Sequence, residues 1–236
     1  MIVASPNLEA VVFDFDGVIV DSETPEYEAY RTLFERAGLS LSVEEWTSQV
    51  GIWTHDQDLV WHGRLCARCT TSPSLEDFRT QKRALFLRRL SMVAMPGIEG
   101  LLESLAAESI PVGIASSSPA RWVVTGATRL GLRPHVQAIV TADDVEKRKP
   151  APDVYLEVVR RLGVRASHTV AIEDSGPGIA AALAAGLKTV AVPHWLTDHH
   201  DLNGAHMRVS TAGELTVSRL RDLVTGKAGP QSVPIR

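Results

Sequence analysis

Cysteine is scarce: only Cys66 and Cys69 occur in 236 residues, too few for a disulfide framework. Excess base is lacking too. Lysine and arginine number 24 against 28 acidic residues, for a net charge of −4. The short basic pairs Arg88-Arg89 and Arg160-Arg161 read as solvated helix faces. A nucleic-acid surface needs clustered positive charge, so no nucleic-acid partner is expected. Long apolar runs are missing as well. The longest, over residues 179–185, is alanine-rich and too short to span a bilayer. The amino end carries no basic leader, and Pro6, Asn7 and Glu9 interrupt any signal-like run. Internal repeats and low-complexity segments are absent. The expectation is a cytoplasmic chain with no membrane partner, a monomer or a weak homodimer.

Hydrophobic residues make up 44% of the chain, enough for one sizeable core or a core with a small second domain. Val11-Val12-Phe13 reads as a buried strand running into Asp14-Phe15-Asp16-Gly17. Thr24-Pro25 then opens a helix that stops at Gly38, with the threonine as cap and the proline at the first position. Ser42, Thr54 and Ser74 open three more helices without an intervening strand, the last running to about Leu90. Met95-Pro96-Gly97 marks the return. Beyond it, strands over 111–115, 138–140, 169–172 and 188–192 alternate with helices. Those helices run from Pro119 to near Gly131, from Pro152 to Gly163, over 179–185, and from a Thr211–Glu214 capping pattern to about Val224. Apolar strands joined by helices mean a parallel sheet covered on both faces. The expected fold is α/β: a doubly wound parallel sheet from residues 1–22 and 94–236, with a loose tail over 226–236. An all-helical domain is inserted at 23–93.

In such sheets ligands bind beyond the carboxyl ends of the strands, and there the chemically capable residues fall. Asp14 and Asp16 end the first strand; Ser116-Ser117-Ser118 follow Ala115; Lys149-Pro150 lies in the loop after Val140; Glu173-Asp174-Ser175-Gly176 follows Ile172. Each has an ordinary explanation, since serines cap helices and Asp-Ser-Gly makes turns. Four such sites on one rim point to phosphoryl transfer. A carboxylate nucleophile splits one difficult step into two. Asp14 comes first out of the strand and suits that role, while Asp16, displaced by the turn at Gly17, suits a general acid and base. So many acids around a phosphate dianion require a cation, and oxygen-only donors favour Mg²⁺. The expected metal set is Asp14, Asp16 through its backbone carbonyl, and Asp174, with Glu173 close by. Lys149 would supply fixed positive charge, and Ser116, with Ser117 beside it, would donate to phosphoryl oxygens.

Asp14-Phe15-Asp16-Gly17, Ser116, Lys149-Pro150 and Glu173-Asp174, in that order, resemble the four motifs of the haloacid dehalogenase superfamily. Asp21-Ser22-Glu23, Lys149-Pro150-Ala151-Pro152-Asp153 and Ile172-Glu173-Asp174-Ser175-Gly176 are similar to its branch of small-molecule phosphatases and β-phosphoglucomutase-like proteins with a helical cap. The resemblance covers about residues 8 to 224. It implies a Mg²⁺-dependent hydrolase of a small phosphate ester with Asp14 as nucleophile and Asp16 as acid and base. Dehalogenases and phosphonate hydrolases of that superfamily lack the second aspartate, so the presence of Asp16 argues against a dehalogenase.

The main rival is a phosphomutase. The β-phosphoglucomutase-like pattern has a histidine at the first cap helix and an arginine three residues after a cap glycine. Glu26 and Thr54 stand at those positions here, and without that cationic clamp a second phosphate is poorly held. A phospho-receiver or binding protein is the other alternative; the helical insertion and the late acid pair speak against a receiver. Glu23, Glu26, Trp53, Thr54 and His55 are candidates to set specificity, and two carboxylates near a leaving group suit the hydroxyls of a sugar or polyol. Cys66-Ala67-Arg68-Cys69 with His62 has part of a zinc-site spacing, but helical cysteines more commonly pack as small apolar groups.

Overall fold

The computed structural model describes residues 7–48, 56–69, 71–198 and 200–227. Its contacts divide the chain into two units, Met1–Val20 with Met92–Arg236, and Asp21–Ser91.

Among the described residues, the first unit is built on six strands: β1 (Ala10–Phe13), β2 (Val112–Ala115), β3 (Ala138–Val140), β4 (Thr169–Glu173), β5 (Lys188–Ala191) and β6 (Met207–Arg208). Every pairing is parallel, in the order β3-β2-β1-β4-β5-β6. β1 is therefore central, with Val12 paired to Gly113 on one side and Ala171 on the other. All four of its residues are buried. Successive side chains of a strand face opposite ways, and each face of the sheet has its own core. Val11 and Phe13 join α5 (Ile98–Ala107), α6 (Ala120–Arg129) and α9 (Val217–Thr225). Val12 and Ala171 join α7 (Asp153–Leu162) and α8 (Gly176–Ala184). This is the doubly wound sheet expected from the apolar strands.

The second unit holds α1 (Glu23–Arg36), α2 (Val43–Thr47), α3 (Gln57–Cys66) and α4 (Leu75–Arg89). Its interior is aromatic: Tyr30, Phe34, Trp61 and Phe78 are fully buried, and Trp46 stacks on Trp61 with ring centres 5.1 Å apart. Ser42 and Ser74 cap α2 and α4 as expected, accepting from the Glu45 and Asp77 N–H groups.

Some boundaries differ from the expectations. α1 starts at Glu23, and the Asp21 carboxylate rather than Thr24 accepts a first-turn N–H, that of Thr24 at 2.9 Å. Asp56 caps α3 through the Leu59 N–H; Thr54, with Trp53 and His55, lies outside the described residues. The Thr211–Glu214 capping box closes a single 3-10 turn, and Thr216 caps α9. α8 begins earlier than expected, at Gly176, capped by Ser175. β6 and α5 had no counterpart in the sequence pattern.

Candidate active site

The site begins where β1 ends. The Asp14 N–H still pairs with Ile172 O at 2.9 Å, so this aspartate is held in line with β4. Beyond it the chain folds on itself: Gly17 N–H donates to Val20 O, and the Ile19 and Val20 N–H groups both donate to Phe15 O. Gly17 has φ +79°, and a Cβ there would sit 2.4 Å from Asp174 Oδ2. Only glycine permits both this turn and that closeness. Asp174 follows Glu173, the last residue of β4, so two adjacent strands bring Asp14, Glu173 and Asp174 to one point. Oxygens of the three lie within 4.8 Å of one another, and all three residues are buried.

Lys149 enters this cluster from the loop before α7. Its buried ammonium donates to Asp14 Oδ1 at 2.5 Å, Glu173 Oε1 at 2.6 Å and the Ala115 carbonyl at 2.9 Å. The Tyr155 hydroxyl, reaching across from α7, donates to the same Glu173 oxygen at 2.5 Å. Ser175 Oγ donates to Glu173 Oε2 at 3.4 Å, and Thr197 Oγ1 donates to Asp174 Oδ2 at 3.3 Å. A Cβ at Gly178 would sit 1.9 Å from Glu173 Oε2, so the start of α8 approaches that carboxylate closely enough to require glycine.

Three carboxylates face one ammonium. Burial pushes the Asp14 carboxyl up to about 8; Lys149 opposes the rise, while Glu173 and Asp16 add to it. Burial works against the Lys149 charge, but Asp14 and Glu173 outweigh it and hold the ammonium above its usual range. The Tyr155 hydroxyl is raised too, by burial first and then by Glu173, so it stays a donor. The cluster is short of positive charge, and its donors are hard oxygens. Both properties fit a divalent cation.

The two serines lie at the carboxyl end of β2. Ser116 is buried, its N–H donating to Val140 O and its Oγ accepting from the Ser118 N–H at 3.0 Å. Ser117 Oγ accepts from the Lys149 N–H at 3.3 Å. Asp16 is oriented differently from Asp14: its carboxylate accepts from Ser118 Oγ at 2.6 Å and from the Trp122 indole N–H at 2.8 Å.

The haloacid dehalogenase-like hydrolase model matches residues 11–192, which include every residue of this arrangement except Thr197. The chain belongs to that family. It is a phosphatase of that family. The chain is 33% identical over 216 residues to YhcW of Bacillus subtilis, covering 91% of this chain and 97% of that protein. It is 32% identical over 196 residues to the phosphorylated carbohydrates phosphatase of Thermotoga maritima, covering 81% and 88%. Among solved structures, a HAD hydrolase, family IA, variant 3, from Entamoeba histolytica superposes with a TM-score of 0.74 at 26% identity, covering 92% and 99%.

For this haloacid dehalogenase-like hydrolase, the structure gathers Asp14, Lys149, Glu173 and Asp174 directly and puts Ser116 and Ser117 beside them. The Asp16 side chain is outside the carboxylate cluster. Glu23 and Glu26 lie in the first turn of α1, where Glu26 pairs with Lys82 at 2.7 Å. Cys66 Sγ lies 3.2 Å from Ser72 Oγ and 3.4 Å from His62 Nε2. Tyr155, Thr197 and Trp122 were not anticipated. Tyr155 sits in an apolar helical stripe with Val154, Val158 and Val159 and looks like core; its hydroxyl, which needs a partner when buried, was the available clue. Thr197 lies in a loop and carries no sequence signal.

Proposed function

We propose that this phosphatase hydrolyses a small phosphorylated metabolite, a sugar or polyol phosphate, with Mg²⁺ and through an aspartyl-phosphate on Asp14. The observation that carries the reading is the buried meeting of Asp14, Lys149, Glu173 and Asp174 at the ends of two adjacent strands. Asp14 and Asp174, with the Asp16 carbonyl, would hold the ion; Glu173 is committed to Lys149 and Tyr155 and supports them from behind. The ion supplies charge that lets a carboxylate approach a phosphate dianion and neutralises the oxygens as they transfer.

An Asp14 oxygen attacks phosphorus as the ester P–O bond breaks, and Asp16 gives its proton to the departing alkoxide. Asp16, now a carboxylate, takes a proton from water; the water oxygen attacks phosphorus and the bond to Asp14 breaks, releasing inorganic phosphate. Lys149 holds Asp14 in place through both steps, and the Ser116 hydroxyl is placed to donate to a phosphoryl oxygen. The carbohydrate reading draws on the Thermotoga relative.

The test is phosphate release from a panel of sugar and polyol phosphates with and without Mg²⁺. Asp14→Asn should fall to background, and Asp16→Asn should accumulate phosphoenzyme from p-nitrophenyl phosphate, whose leaving group needs no proton. Full activity in Asp14→Asn would overturn the nucleophile assignment. Interconversion of a hexose 1-phosphate and its 6-phosphate would favour a mutase.

A further inference from the structure

Two donors to Asp16 flank the start of α6. Ser118 precedes the helix and Trp122 lies in its first turn, and both reach the same carboxylate. Ser118 Oγ takes one oxygen at 2.6 Å and Trp122 Nε1 takes the other at 2.8 Å. The indole is itself fixed. Its ring packs edge-on against Phe15, with centres 6.2 Å apart and planes at 85°. Phe15 is fully buried between the two aspartates in sequence, and a Cβ at Gly126 would sit 2.5 Å from its ring. The start of α6 is anchored in turn by the Ala120 N–H donating to Asp143 Oδ2 at 2.8 Å. Packing along α6 thus sets where the indole N–H points.

We infer that Trp122 is a positioning residue for Asp16, aiming its carboxyl group for proton transfer to the leaving oxygen. This rests on the acid and base role proposed for Asp16. Each carboxyl oxygen has two acceptor directions. One on each is taken by Ser118 or Trp122, and two donors on two different oxygens fix the plane of the group. Removing one donor loosens the hold on rotation about the Cβ–Cγ bond. A proton donor that is out of line by a modest angle loses much of its effect.

Trp122→Phe keeps a ring against Phe15 and deletes only the N–H. The kinetic constant to read is kcat/KM, which reports steps up to departure of the leaving group. Two substrates separate the roles: an alkyl phosphate such as a sugar phosphate, whose alkoxide must be protonated, and p-nitrophenyl phosphate, whose phenolate leaves without a proton. Trp122→Phe should lower kcat/KM roughly tenfold for the alkyl phosphate, in line with the loss of one hydrogen bond, and about twofold or less for the nitrophenyl ester. Ser118→Ala should show the same selective loss, and it carries the test if Trp122→Phe does not fold. Equal losses on both substrates, or none on either, would overturn the positioning role while leaving the phosphatase reading intact. A wild-type enzyme that hydrolyses neither ester with Mg²⁺ would overturn that reading and this inference with it.

Discussion

Lys149 shows how much one side chain can decide. Its ammonium is buried and shared between Asp14 and Glu173 at 2.5 and 2.6 Å. Lys149→Met keeps an unbranched side chain one atom shorter and leaves two buried carboxylates without their cation. Breaking a buried pair in this way costs about 3–5 kcal/mol, which urea unfolding should register, and activity should fall to background. Adding Glu173→Gln removes part of the uncompensated charge. The double variant should recover some stability and no activity, a coupling that a double-mutant cycle measures. At this scale the sequence was most readable where polar residues had to follow strands. Asp14, Ser116, Lys149 and Glu173-Asp174 stand out because each breaks an apolar pattern at a rim. Trp122, Tyr155 and Thr197 act on those residues from positions where an aromatic or a hydroxyl needs no special explanation, so their partners emerge only from the fold.

The elements that hold the site differ in how plainly their sequences announce them. β1, β2 and β4 are buried throughout, and an apolar run bounded by turn residues identifies such strands. α5 follows Gly97 at φ +89°, a residue type that ordinarily marks a helix end, so its start carried no signal. β6 has only two residues, too few for a period. The loop after β1 depends on Gly17. Gly17→Ala would force both a left-handed backbone on a residue with a Cβ and a displacement of the Asp174 carboxylate. Metal affinity should fall about 10- to 100-fold, the range for disturbed support of a ligand, as read by titration calorimetry; unchanged affinity would argue against Asp174 as a ligand. In the helical unit, Ser74 accepts the Asp77 N–H at 3.1 Å. Ser74→Ala should cost about 1 kcal/mol by thermal unfolding and leave metal affinity as it is.

For the molecule as a whole, the charge imbalance of the site couples folding to pH and to metal. Without a cation, burial raises the folded Asp14 carboxyl from an ordinary value of 3.8 to about 8. Between those values the folded chain keeps a proton that the unfolded chain has released. Stability attributable to Asp14 therefore falls as pH rises through this window and levels off outside it. A divalent cation bound as proposed would take the place of that proton, so binding would release a proton below about pH 8 and tighten as pH rises toward it. At a metal concentration 100 times Kd, the gain in stability is about 2.7 kcal/mol. Melting curves from pH 5.5 to 8.5, in EDTA and in saturating Mg²⁺, should show a rise in Tm on adding metal that grows with pH. Asp14→Asn, which cannot ionise at this position, should lose the pH-dependent part of that difference. Asp174→Asn should shrink the metal-induced rise at every pH. A wild-type chain whose metal-induced rise is constant across the range, or matches that of Asp14→Asn, would show that the proton on Asp14 and the ion do not compete for the same charge.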